Sequence, residues 1–146
     1  MLKEGDVAPD FTVKTNSGET LKLSDLRGKR VLLWFYPMAD TPGCTAEGCS
    51  FRDLNKEFAQ HNVTILGVSF DGVEANQKFS QKFGFNFPLL CDTDQKIGRA
   101  YGAADGDAKT ATRISYLIGA DGKIERAYGK VNAKEHPTAA LAELAG

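Results

Sequence analysis

Histidine is scarce in this chain: His61 and His136 are the only two in 146 residues, and no ligand-like spacing connects them to other side chains. A metal centre is therefore not expected. Cysteine is almost as sparse. The three thiols, Cys44, Cys49 and Cys91, are an odd number in a chain of this length and do not read as a secreted disulfide framework. A reducing cytoplasm is the expected setting, where a retained thiol is either inert in the core or used chemically. Excess charge of one sign is missing as well. The 18 basic and 19 acidic residues are interspersed and leave a net charge of −1, so no nucleic-acid or anionic-membrane surface is expected. The longest apolar run, residues 31–38 with Pro37 inside it, falls far short of the roughly 20 residues of a membrane helix. The opening MLKEGDVAPDF lacks a basic start leading into an apolar stretch, so no signal peptide is expected. Repeats, low-complexity tracts and linkers are not found, and residues 1–146 are read as one domain.

What is present is an ordinary globular composition, 42% hydrophobic and 25% charged, in a chain long enough to bury roughly 70% of its extended surface. Residues 11–14 and 20–23 read as two short strands around the turn signal TNSGE. RVLLWFY, residues 30–36, is almost continuously apolar, as suits a strand buried on both faces. Over 42–60 the period changes: Phe51, Leu54 and Phe58 recur at helical spacing, with Arg52, Asp53, Lys56 and Glu57 on the other face. A second buried strand is expected at 63–70 and an amphipathic helix at 73–84, ending on Gly84 as a C-cap. Residues 87–92 predict a short strand, 94–102 a short helix, and 114–129 two strands around an Ala-Asp-Gly hairpin signal. The tail should close with a helix whose regular part begins near Pro137. This order predicts an α/β sandwich, a central mixed sheet flanked by helices, with a β-hairpin extension at the N-terminus.

Two of the thiols fall in YPMADTPGCTAEGC, residues 36–49, directly after the buried strand. Their spacing is not the Cys-x-x-Cys of a dithiol reductase, nor the paired sets of a zinc ribbon. Thr41 followed by Pro42 is a helix-start signature, a hydroxyl N-cap and then a residue whose missing N–H costs nothing. Cys44 then lies in the first turn, near unpaired backbone N–H groups and the positive end of the helix dipole, which favour the nucleophilic thiolate. Gly43 would let a small ligand approach the backbone closely. Cys49, five residues on, would have its Cα roughly 8.6 Å from that of Cys44 in an intact helix. A disulfide tolerates about 7 Å. Either Cys49 is a bystander, or the chemistry includes local unwinding, which Gly43 and Gly48 would ease as poor helix formers.

Pro37-x-x-x-Thr41-x-x-Cys44 is the signature of peroxiredoxins, and FYPMADTPGCTAEGCSFRDL resembles the Q-type, or bacterioferritin comigratory protein, branch. The similarity runs from GDVAPDFTV through LSDLRGKRVLLWFYP to ISYLIGADGKI. It implies a thioredoxin fold of the peroxiredoxin type, which the element order also matches. It further implies a thiol-dependent peroxidase for hydrogen peroxide and organic hydroperoxides, serving antioxidant defence without a metal or other cofactor. Cys44 corresponds to the peroxidatic cysteine, and Thr41 to the residue whose hydroxyl bonds peroxide and thiolate. Pro37 corresponds to the residue shielding the site from water, and Arg113 to the active-site arginine. Glu47 matches an acidic residue that orients an arginine, and Cys49 a resolving cysteine. On this resemblance the Cys44 thiolate becomes a sulfenic acid, Cys49 attacks it to form a disulfide, and thioredoxin or a similar dithiol reduces the product. A monomer is implied, with a homodimer as the alternative.

Other readings remain. One is a one-cysteine peroxidase with Cys49 incidental; another is a non-enzymatic redox sensor or binding protein. A cysteine protease is disfavoured, because no matching context surrounds Cys44 and neither histidine is an obvious base. Cys91 reads as a buried, inert thiol with a resolving thiol as the alternative, His61 as a helix C-terminal cap, and His136 as solvent-exposed. Phe79, Phe83, Phe85 and Phe87 crowd one region and read as packing, with a cover over the pocket as the alternative. DGVEANQKF and ADGDAKTA read as loops or solvated faces.

Overall fold

In the computed structural model, which describes residues 1–145, a five-stranded mixed sheet carries the site. Its strands are β3 (Arg30–Phe35), β4 (Val63–Ser69), β5 (Leu89–Cys91), β6 (Ser115–Ile118) and β7 (Ile124–Tyr128), in the order β5-β4-β3-β6-β7. Strand β3 is central. It pairs in parallel with β4, with Val31 opposite Thr64 and Phe35 opposite Val68, and antiparallel with β6, with Leu33 opposite Tyr116. The β3–β4 crossover is α1 (Pro42–Gln60), and the β4–β5 crossover is α2 (Val73–Phe83), as parallel neighbours require. The short strands β1 (Thr12–Lys14) and β2 (Thr20–Lys22) form a separate antiparallel hairpin, tied to the sheet by a bridge between Thr15 and Leu90.

The continuous apolar run of β3 divides cleanly between the two faces. Val31, Leu33 and Phe35 enter one core cluster, with Leu66 and Val68 of β4 and with Ile97 of α3 (Lys96–Ala100). Leu32, Trp34 and Tyr36 enter the other, with Phe51 and Phe58 of α1, Phe79 of α2 and Ala140 of α4 (His136–Ala145). A period of two within an unbroken apolar run is what a strand covered on both sides needs. A Cβ on Gly67, in mid-β4, would stand 2.8 Å from Leu89 and 3.0 Å from the Trp34 indole. That glycine makes room for the one tryptophan in the chain.

Helix α2 ends as expected, with Gly84 left-handed at φ +62°. The 94–102 helix is shorter than expected, because both oxygens of buried Asp92 accept from the N–H groups of Ile97 and Gly98 and fix the start of its single turn. His136 is the main correction. It is buried rather than exposed, its ring edge-on to Phe51 of α1 and packed against Tyr128 of β7. The helix it begins docks on α1 and carries the histidine into the core. DGVEANQKF also departs from a solvated reading. Asn76 within it is fully buried, accepting from the Tyr36 hydroxyl at 2.7 Å.

Candidate active site

Strand β3 leads through Tyr36 into the loop 37–41, and α1 starts at Pro42. Two contacts hold that loop from outside. Asp71 Oδ2 accepts the Ala39 N–H at 2.8 Å while also accepting the Ser69 hydroxyl at 2.7 Å. Lys82 of α2 pairs with Asp40 at 2.9 Å, and Asp40 itself is left-handed at φ +62°. Pro37 is half-buried at the mouth of the loop.

Thr41 occupies the N-cap position of α1, extended at φ −95° and ψ 156°, with Pro42 at the first helical position. Its hydroxyl does not cap the helix. It donates to the Met38 carbonyl at 2.9 Å, while the Thr41 carbonyl accepts the Thr45 N–H. The sequence signature locates the helix start correctly but assigns the hydroxyl the wrong partner. Having donated its only proton to Met38, the hydroxyl retains only acceptor capacity.

Cys44 is fully buried on the first turn, a free thiol. Arg113, two residues before β6, reaches it with Nη2 3.4 Å from Sγ. The same guanidinium donates from Nη1 to Glu47 Oε1 at 2.7 Å. Glu47 has no exposed side-chain surface, and its Oε2 has no hydrogen-bond partner among the described residues. Burial therefore disfavours the carboxylate more than Arg113 favours it, and the group is pushed up to about 7. Burial also works against the Arg113 charge, but its bonds to Glu47 and Cys44 outweigh this and push the guanidinium higher still.

Gly43 has a different use from the one its position suggests. A Cβ there would stand 2.9 Å from Arg113 Nη2. The space is filled by the guanidinium, not left open to a ligand. Gly48 is likewise covered, since a Cβ would stand 2.5 Å from the tip of the Phe85 ring.

Thus Gly43, Cys44, Glu47 and Arg113 are brought together, with Thr41 at the start of the same helical turn. Cys49 is a partly exposed free thiol on the same unbroken helix. Cys91 belongs to another neighbourhood: it is buried on β5 with Asn76 Nδ2 3.4 Å away, and burial pushes its thiol up. His61 caps the C-terminus of α1 with its backbone, as expected. Asp71 and Phe85 are parts of the site that residue patterns did not single out. The first is hidden in an apparent loop, and the second in a phenylalanine cluster that suits any core. Among the described residues, no group of His, Cys, Asp and Glu is arranged to hold a metal ion.

A buried thiol, a helix N-terminus and a guanidinium backed by a carboxylate can stabilise a sulfur anion and an oxyanion that it displaces. Comparison with known proteins points to the same chemistry. The family model described as AhpC/TSA family matches residues 5–127. Peroxiredoxin Bcp of Escherichia coli K12 is 40% identical over 141 residues, covering 92% of this chain and 90% of that protein. The structure of peroxidoxin BcpB from Mycobacterium tuberculosis superposes with a TM-score of 0.92 at 35% identity, covering 99% of this chain and 97% of that one. The bacterioferritin comigratory protein of Xanthomonas campestris superposes with a TM-score of 0.87 at 33% identity, covering 92% and 90%. The mixed sheet with its flanking helices and hairpin is the thioredoxin-like fold of these proteins. The chain belongs to the AhpC/TSA family and, within it, to the Bcp or Q-type peroxiredoxins, which are thiol-dependent peroxidases.

Proposed function

We propose that Cys44 is the thiol that attacks peroxide and that Arg113 supplies the positive charge the reaction needs. The supporting observation is the 3.4 Å contact from Arg113 Nη2 to Cys44 Sγ, with the other guanidinium nitrogen held by buried Glu47. The Cys44 thiolate displaces alkoxide or hydroxide from the nearer peroxide oxygen. The S–O bond forms as the O–O bond breaks, leaving a sulfenic acid on Cys44 and an alcohol or water once the leaving oxygen takes a proton. Thr41, its proton committed to Met38, accepts a hydrogen bond from the peroxide O–H. Pro37 limits water at the loop. Glu47 holds the guanidinium, and Gly43 gives it access.

Cys49 then attacks the Cys44 sulfenic sulfur and releases water. The resulting disulfide is reduced by thioredoxin or a similar dithiol. Both cysteines lie on one continuous helix, so the first turns of α1 must open before the sulfurs meet. Organic hydroperoxides are included as substrates, in keeping with the alkyl peroxide reduction activity described for the Xanthomonas campestris relative. The protein acts in a reducing cytoplasm, as a monomer. Peroxide-dependent oxidation of reduced thioredoxin tests the reading. Cys44→Ser should abolish turnover and Cys49→Ser should reduce it at least tenfold, whereas retained turnover in Cys44→Ser would overturn it.

A further inference from the structure

If the first turns of α1 must open, something has to hold them closed while peroxide reacts. On one side is the Arg113–Glu47 pair. On the other is Phe85. A Cβ placed on Gly48 would lie 2.5 Å from the Phe85 Cζ and 3.1 Å from each Cε. The ring tip therefore bears end-on upon the helix backbone between Cys44 and Cys49, and contact this close requires a glycine beneath it. Glycine is also poor at holding a helix unaided, by about 1 kcal/mol relative to alanine.

The segment carrying Phe85 is anchored to a different part of α1. Arg52 Nη1 donates to the Phe83 carbonyl, Asn55 Nδ2 donates to the Asn86 carbonyl at 3.0 Å, and Asn86 Nδ2 donates back to the Arg52 carbonyl at 3.2 Å. Residues 83–86 thus form a strap fixed to positions 52 and 55, beyond the turns that must move. The ring itself is set by Phe79, edge-on at 4.8 Å, and by Phe87, stacked at 5.1 Å. When residues 44–49 unwind, the hydrogen bonds of the strap stay intact, and what is lost on this side is the seat of the ring on Gly48.

We propose that Phe85 is a latch on α1, a positioning residue that sets how often the Cys44–Cys49 segment opens, and hence how a Cys44 sulfenic acid divides between disulfide formation and further oxidation by a second peroxide. This rests on the assignment of Cys44 and Cys49 proposed above. No new reagent is required: peroxide drives both the first oxidation and, in excess, oxidation of the sulfenic to the sulfinic acid. A tighter latch lengthens the life of the sulfenic acid, and a looser one shortens it.

The test compares wild type, Phe85→Ala and Phe85→Leu in stopped flow with hydrogen peroxide, following Trp34 fluorescence. Trp34 meets Phe87, the neighbour of Phe85, at 6.0 Å. Sulfenic-acid formation and disulfide formation are resolved as successive phases, and mass mapping identifies the disulfide. The latch predicts that the ratio of the second rate to the first rises about tenfold in Phe85→Ala and less in Phe85→Leu, as loss of about 1.4 kcal/mol of contact would give. It also predicts that the peroxide concentration giving half sulfinic acid rises in parallel, and that amides 45–49 exchange faster in the reduced variants. An unchanged or lower ratio in folded Phe85→Leu overturns the latch while leaving the cysteine assignment standing. A wild-type disulfide other than Cys44–Cys49 overturns both.

Discussion

Arg113 and Glu47 meet at 2.7 Å with the carboxylate wholly buried and the guanidinium one-fifth exposed. The pair is asymmetric. Among the described residues Glu47 hydrogen-bonds only to Arg113, through Oε1, while Arg113 uses its other terminal nitrogen on Cys44. Removing the carboxylate should free the arginine rather than neutralise it. Glu47→Ala is therefore expected to lower kcat/KM for hydrogen peroxide by about 10- to 100-fold, with Glu47→Gln, which can still accept from Nη1, losing less. Arg113→Ala should cost more, about 100- to 1,000-fold, in the range seen when a donor to a developing anion is removed. Steady-state kinetics on the three variants checks the order.

Stability should depend on pH through two buried groups of opposite sign. Glu47 is pushed up from an ordinary 4.5 to about 7 by burial. Between those values the folded chain holds a proton that the unfolded chain has lost, so stability falls as pH rises. His136, buried between Phe51 and Tyr128, is pushed down from 6.5 to about 4, with Glu143 pulling weakly the other way. There the unfolded chain takes a proton that the folded chain refuses, so stability falls as pH drops. Each effect is worth roughly 3 kcal/mol at full development, and from pH 4.5 to 6.5 they oppose each other. Urea midpoints should rise with pH over that window in Glu47→Gln and fall with pH in His136→Phe. Parallel pH profiles in the two variants would refute the assignment.

Gly43→Ala places a methyl group 2.9 Å from Arg113 Nη2. The guanidinium is the far end of a flexible side chain and can yield, so the cost should appear in catalysis more than in folding. The expected result is about a tenfold loss in kcat/KM with a melting temperature within a few degrees of wild type, read by steady-state kinetics and calorimetry.

Asp71 takes the Ala39 N–H and the Ser69 hydroxyl on one oxygen. Asp71→Ala leaves both donors without that acceptor and releases the loop that carries Pro37 and Thr41. A destabilisation of about 1–3 kcal/mol is expected, together with slower reaction of Cys44 with peroxide. Denaturant titration and stopped flow measure the two effects separately.

Most of the architecture is legible in the sequence because its signals are local. The apolar run of β3, the helical spacing of Phe51 and Phe58, and Gly84 as a left-handed cap each report on their own segment. The peroxiredoxin motif likewise marks Pro37, Thr41 and Cys44, and the wider resemblance adds Arg113, one residue at a time. What is not legible depends on which distant surfaces meet. His136 looks exposed beside Pro137 until α4 is docked on α1. Gly43 looks like room for a ligand until Arg113, 70 positions away, fills it. Phe85 is one phenylalanine among several until Gly48 is found beneath it. The Thr41 hydroxyl misleads for a subtler reason: as a cap it would accept from a helix N–H, but the bend of the loop at Asp40 brings the Met38 carbonyl to it and it donates there.

The central claim is that Cys44 is the thiol that meets peroxide. Cys49→Ser protein, given one equivalent of hydrogen peroxide in the presence of dimedone and digested for mass mapping, tests it directly. The adduct should be found on Cys44, with Cys91 unmodified. An adduct on Cys91, or none on Cys44, would contradict the account.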